Sequence, residues 1–316
     1  KLDVNLLAPD TAVNHFTVGS GPAVITIQGR YGYVINHYNS TLQVLDLNNP
    51  ANPVIIATVS TAAYPVGLCV QGQYAYVSSY TGNVLQVFDI SNPKSPLFKG
   101  SVGTTSVPRH IFVKGQYVYI VGLGSHALQI ADVSNPNSPR MVSTVGTDYT
   151  PHSVVVQDKY AFVLNYGSNT LLAYDVSNPF APKVVGTLTT NYQPTFMSIQ
   201  GSYAYISCIG ASTMQVINIS DPTAMTVAST IGTGYQPYAI TVHGRYAYIA
   251  NLGSDSLEII DISDSGNPKG LGRVKTGHQP HWVFTQGRYV YVGNLQSASI
   301  SIYDMGGAIL PQLEAS

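Results

Sequence analysis

The runs Tyr74-Ala75-Tyr76-Val77 and Leu85-Gln86-Val87-Phe88-Asp89, joined through a short loop at Tyr80 to Asn83, decide the fold. Both alternate with period two, the mark of a β-strand with one face turned to a core. Ahead of them, Pro65 to Val70 is a first strand, and Gly72 lies in the turn after it. Behind them, Asn92-Pro93 to Pro96 is a turn, because proline cannot sit in a central ladder. Leu97 to Val102 is a fourth strand. The unit then starts again. Pro22, Pro65, Pro108, Pro151, Pro194, Pro237 and Pro280 each open one copy, with a constant step of 43 residues. Asp46, Asp89, Asp132, Asp175, Asn218, Asp261 and Asp304 keep the same step.

Four antiparallel strands in a repeat of this length are the signature of a propeller blade, whereas solenoid repeats of similar length are helical. No helical period of 3.6 residues is visible. The chain is therefore expected to be all-β, a single seven-bladed β-propeller with its repeats over residues 19–304. The last copy lacks a fourth strand after Asp304. Residues 1–18, with Val13, Phe16 and Val18 as the apolar positions, are expected to supply it and so remove an open sheet edge. The C-terminal tail, residues 305–316, competes for that place. Its Pro311 falls in phase with Pro53, Pro96, Pro139, Pro182 and Pro268, but Gln312, Glu314 and Ser316 make a poor buried strand.

Composition narrows the function classes. Hydrophobic residues make up 45% of the 316, enough for a sizeable core, and charged residues only 9%, with a net charge of −1. Without a basic block there is no footprint for nucleic acid or for an electrostatic membrane anchor. No apolar run is long enough for membrane insertion as a helix. Low charge, many hydroxyl and amide side chains and a start at Lys1 suggest a secreted or cell-surface protein whose signal peptide has been removed. Cys69 and Cys208 fall at non-equivalent repeat positions and read as small buried hydrophobes.

Repeats such as Leu85-Gln86-Val87-Phe88-Asp89-Ile90-Ser91-Asn92-Pro93 and Leu128-Gln129-Ile130-Ala131-Asp132-Val133-Ser134-Asn135-Pro136 resemble the LVIVD-repeat family. The Tyr-Ala-Tyr-Val strand is also similar to the YVTN-type propellers of surface-layer proteins. The resemblance covers nearly the whole chain and implies an extracytoplasmic setting. It carries no catalytic motif and no cofactor. The fifth copy departs from the pattern at Asn218 and at Asp221-Pro222-Thr223-Ala224-Met225, which touches one turn only.

The repeat also separates scaffold from site. Tyr31, Tyr33, Tyr74, Tyr76 and their equivalents recur on the second strand and read as packing between blades. The Asp ladder reads as turn chemistry, each carboxylate accepting N–H bonds from the turn that follows it. Residues that break the repeat are the candidates for a site. After the opening prolines come Arg109, His152, Tyr238 and His281, then His110 and Trp282. From the loops between second and third strands come His37, Tyr80, His126 and Tyr166. Both sets should meet at one mouth of the central channel, where polar and aromatic groups would line a concavity. A metal site is not expected, because no carboxylates accompany the histidines and His110 and His152 lie several blades from His281.

Three functions compete. The first is a non-enzymatic binding module that holds a carbohydrate or protein partner on His37, Tyr80, Arg109, His110, His152, Tyr166, Tyr238, His281 and Trp282. The second is a polysaccharide-degrading enzyme of lyase type, with Arg109 neutralising a uronate and His110, Tyr149 and His152 as base and acid. A paired-carboxylate glycosidase is disfavoured, since only Asp148 and Asp255 break the repeat on that face. The third is a structural surface-layer element. A deep pocket around Arg109, His110, Tyr149 and His152 would favour the enzyme, a shallow aromatic ring the binding module, and a plugged face the structural element. The opposite face, built from near-identical turns, offers little for an asymmetric ligand.

Overall fold

The computed structural model describes residues 12–306 and contains only β-strands among them. Blade one shows the plan. Its strands are β2 (Pro22–Gln28), β3 (Tyr31–Asn36), β4 (Thr41–Asp46) and β5 (Val54–Ser60), paired antiparallel in sequence order. Each strand is short because a turn residue interrupts it at a fixed place. Gly29 at φ 61° turns β2 into β3, a conformation glycine adopts without steric cost. Asp46 Oδ1 accepts the N–H of Asn48 at 2.9 Å and so folds the turn that leaves β4. The same bond at the same length recurs at Asp89, Asp132, Asp175, Asn218, Asp261 and Asp304.

Seven such sheets stand around a central channel, the proline-headed strand of each packed against those of its neighbours. The core lies between blades. Tyr33, Tyr76, Tyr119, Tyr205, Tyr248 and Tyr291 are buried there, with aliphatic side chains from both flanking sheets. Polar groups tie the junctions on the glycine-turn face. The side-chain amides of Gln28, Gln71, Gln157, Gln200 and Gln286 donate to the carbonyls of Gly72, Gly115, Gly201, Gly244 and Gly29 in the next blade.

The last sheet has the strand order β1 (Asn14–Thr17), Ser299–Asp304, Tyr289–Asn294, Pro280–Gln286. Asn14 pairs with Ile302 and Thr17 with Ser299, so the N-terminal segment is the outer strand of this blade and closes the ring. Val18 beside it is buried with Ile300 and Ile302. The competing segment around Pro311 lies outside the described residues, as do Lys1 to Thr11. Cys69 and Cys208 are both free, and burial raises both thiol pKa values, that of Cys208 to about 12.

Candidate functional site

The residues after each opening proline converge on one channel mouth. Their side chains reach across it. His110 of blade three meets Trp282 of blade seven with ring centroids 5.8 Å apart, and Phe196 of blade five meets Trp282 at 4.9 Å and His110 at 5.4 Å. Small residues occupy the same position in the other blades, Gly67, Ser153, Ala239 and Val24, which leaves room for the three rings. Around them His152 touches Phe196 and Tyr238, and Tyr238 stacks on His281 at 4.3 Å. The result is a cap.

His152 and His281, three blades apart, both contact Tyr238. One expectation is corrected: the mouth is not an open concavity. His152, Tyr238 and His281 are 7%, 6% and 9% exposed, too covered to serve as a contact surface. The channel itself is a cavity of about 570 Å³ roofed by His110, Phe196 and Trp282, and its lining runs on to Gln157 and Gly201 at the opposite face.

Hydrogen bonding explains the histidines. His152 Nδ1 donates to the carbonyl of Thr195 at 3.0 Å, Thr195 Oγ1 to that of Tyr238 at 2.8 Å, and His281 Nδ1 to that of Ala23 at 3.1 Å. Each bond links one blade to the equivalent residue of the next. Different side chains do the same structural work, so breaking the repeat did not mark function here. His37 donates to the Pro65 carbonyl, and His126 Nδ1 accepts the Thr150 N–H. His278 meets the carboxylate of Asp255, which also accepts the N–H of Gln279.

Burial, and after it the charge of Arg109, brings the pKa of His110 down to about 4 and that of His281 to about 3. His152 is pushed well below the usual range by burial, then by Arg109. All three are neutral at pH 7. His110 Nδ1 accepts the Val154 N–H at 3.2 Å, which places its proton on Nε2. His152 Nε2 accepts from Arg109 Nε at 3.3 Å. Neither imidazole keeps a free lone pair for proton abstraction. Tyr149 joins neither: it stacks on His126 at 4.6 Å, away from the Arg109 cluster. The lyase constellation of Arg109, His110, Tyr149 and His152 does not assemble.

The large apolar side chains that remain exposed on this face are tyrosines. Tyr149, Tyr192 and Tyr235, two residues before the opening prolines of three consecutive blades, are 62%, 59% and 63% exposed. Each ring lies against a glycine of its own blade. A Cβ at Gly167, Gly210 or Gly253 would come within 2.4, 2.4 and 2.5 Å of Cδ1 of Tyr149, Tyr192 and Tyr235. The residue that follows each tyrosine holds a positive φ of 52–57° at Thr150, Gln193 and Gln236, and its carbonyl accepts a loop N–H. The rings are thus set on rigid corners. Tyr38, Tyr64 and Tyr80 are also exposed on this face, while Tyr166 lies half-buried 5.8 Å from His152. Tyr64, Tyr192 and Tyr235 escaped the sequence reading. Their signal was a tyrosine just ahead of the opening proline with a glycine 18 residues later, a pair found in four copies at Tyr64, Tyr149, Tyr192 and Tyr235.

Among the described residues no cluster of three or more potential metal ligands forms. Fold and site together define a seven-bladed propeller with a capped channel and a crown of tyrosines. The chain belongs to the LVIVD-repeat family: the family model matches residues 23–61, 66–104, 108–147, 151–190, 197–233 and 238–276. No curated protein matches its sequence. Solved structures share the fold at low identity. Hydrazine synthase of Kuenenia stuttgartiensis is 17% identical with a TM-score of 0.74, over 92% of this chain and 97% of that one. The Cps50 (Swd1) β-propeller domain of Myceliophteria thermophila is 10% identical with a TM-score of 0.77, over 94% and 99%. The periplasmic gluconolactonase PpgL of Pseudomonas aeruginosa is 14% identical with a TM-score of 0.73, over 82% and 86%. Relatives this distant share the architecture and no common activity.

Proposed function

We propose that this propeller is a non-enzymatic binding module, secreted or displayed at the cell surface, that holds a carbohydrate chain on the proline-headed face. One observation carries the reading: Tyr149, Tyr192 and Tyr235 present three exposed rings on consecutive blades, each backed by a glycine. Flat aromatic faces suit sugar rings, and the 43-residue repeat sets them at regular intervals that an extended chain can follow. Rings held before binding lose little conformational freedom on contact. The low charge of the chain accords with a surface that recognises a sugar chiefly through its ring faces and hydroxyl groups.

The test is a polysaccharide array probed with the wild type and with the triple variant Tyr149→Ala/Tyr192→Ala/Tyr235→Ala. At about 1 kcal/mol per ring, losing all three weakens binding about a hundredfold. Because the rings are exposed, the melting temperature should stay within about 2 °C. Equal binding by both proteins contradicts the reading. The capped mouth favours a second one, a structural surface element without ligand; an array with no positive spot for the wild type supports it.

A further inference from the structure

Arg109 is the one feature of this face that neither the scaffold nor the tyrosine crown explains. Every other arginine meets a carboxylate: Arg30 with Asp46, Arg140 with Asp132, Arg245 with Asp261, Arg273 with Glu258 and Arg288 with Asp304. Those five pairs lie along the blades and are explained by turn and strand packing. Arg109 has no acidic partner among the described residues. Asp148 and Asp255, the acids nearest in role, are engaged by Thr170 and by His278 with Gln279.

The guanidinium is held in place. Its Nε donates to His152 Nε2, one terminal nitrogen donates to the Tyr238 hydroxyl three blades away, and its carbon lies 5.9 Å from the Tyr238 ring centroid. These bonds leave part of its N–H fork without a protein partner among the described residues. The neighbouring imidazoles are neutral, so Arg109 supplies the net charge of the cap. Its burial is costly enough to bring its own pKa down to about 10. A half-buried, positioned and unneutralised guanidinium fits a planar carboxylate, which its fork can meet through two parallel bonds.

We propose that Arg109 binds the carboxylate of a uronic acid residue, and that the chain held by the tyrosine crown is a polyuronate. This rests on the carbohydrate reading above and adds the class of sugar. The single cation near the axis fixes one acidic residue, while Tyr149, Tyr192 and Tyr235 hold neighbouring rings of the same chain.

The experiment compares polygalacturonate, alginate and hyaluronate with their carboxyl-esterified forms, and adds poly-glutamate as an acidic peptide. Proteins are the wild type, Arg109→Gln and the triple tyrosine variant. The expected result is that the wild type prefers at least one acidic chain over its ester by about tenfold or more. Arg109→Gln should erase that preference while keeping the binding of the ester. Equal binding of acid and ester by the wild type overturns the proposal without recourse to any variant. An acid preference that survives Arg109→Gln overturns it as well. Poly-glutamate bound as tightly as the best polyuronate overturns the assignment to a sugar. In these outcomes a triple tyrosine variant that loses both acid and ester leaves the carbohydrate reading standing; one that binds like the wild type removes it.

Discussion

Acidification from pH 7 to pH 5 is expected to lower the melting temperature by about 5–10 °C. The cause is the buried imidazole layer. His281 is held neutral down to about pH 3, and His152 is likewise well below its ordinary range, both first through burial. In the unfolded chain each takes up a proton near pH 6.5. The folded pKa is thus depressed below the unfolded one, and for a histidine this means stability is complete above about pH 6.5 and falls as the pH falls. Each group contributes a slope of about 1.4 kcal/mol per pH unit, so the pair loses roughly 4 kcal/mol at pH 5. His110, with its pKa at about 4 but more exposed, adds a smaller share. The Asp ladder acts lower, because the hydroxyls and then the N–H groups of Ser91, Ser134 and Ser177 hold Asp89, Asp132 and Asp175 below their normal carboxylate values. Thermal melts from pH 7.5 to 4.5 check this. His281→Asn should flatten the curve in that window, and a wild-type melting temperature unchanged at pH 5 would sink the account of the cap.

Deleting residues 12–18 should lower the melting temperature by about 10 °C and promote association. The deletion removes the Asn14–Thr17 strand, uncovers the edge of Ser299–Asp304 and exposes the pocket that Val18 fills against Ile300 and Ile302. An open strand edge pairs with other chains, and the loss of its apolar contacts with Phe16 and Val18 amounts to a few kcal/mol. Calorimetry and light scattering on the truncated protein provide the check. A truncated protein that melts with the wild type and stays monomeric would show that the ring does not depend on this strand.

The blade plan was legible because it is repeated: period-two alternation and an opening proline occur in every copy, and the turn-forming Asp in all but the fifth, where Asn218 makes the same bond. The site was less so, for two physical reasons. His152, Thr195 and His281 look like departures from the repeat, yet each donates to the carbonyl of the next blade, and the geometry accepts any short donor there. Conversely, Tyr192 and Tyr235 recur at the repeat step and so resemble scaffold, although they are exposed. A partial repeat, carried by some blades and not by others, can be a binding surface. Arg109 was singled out from sequence, but its isolation from every described carboxylate is a property of packing across the channel that no sequence spacing conveys.

The central claim places the ligand on the tyrosine crown, and hydrogen–deuterium exchange locates it most directly. With a galacturonate or alginate hexasaccharide, or the highest-scoring oligosaccharide of the array, the account predicts slowed exchange in residues 147–150, 190–193 and 233–236. The backing loops at 166–168, 209–211 and 252–254 should slow with them. Protection confined to the glycine turns near residues 29–30, 72–73 and 201–202, where the apolar channel approaches the surface, would contradict it.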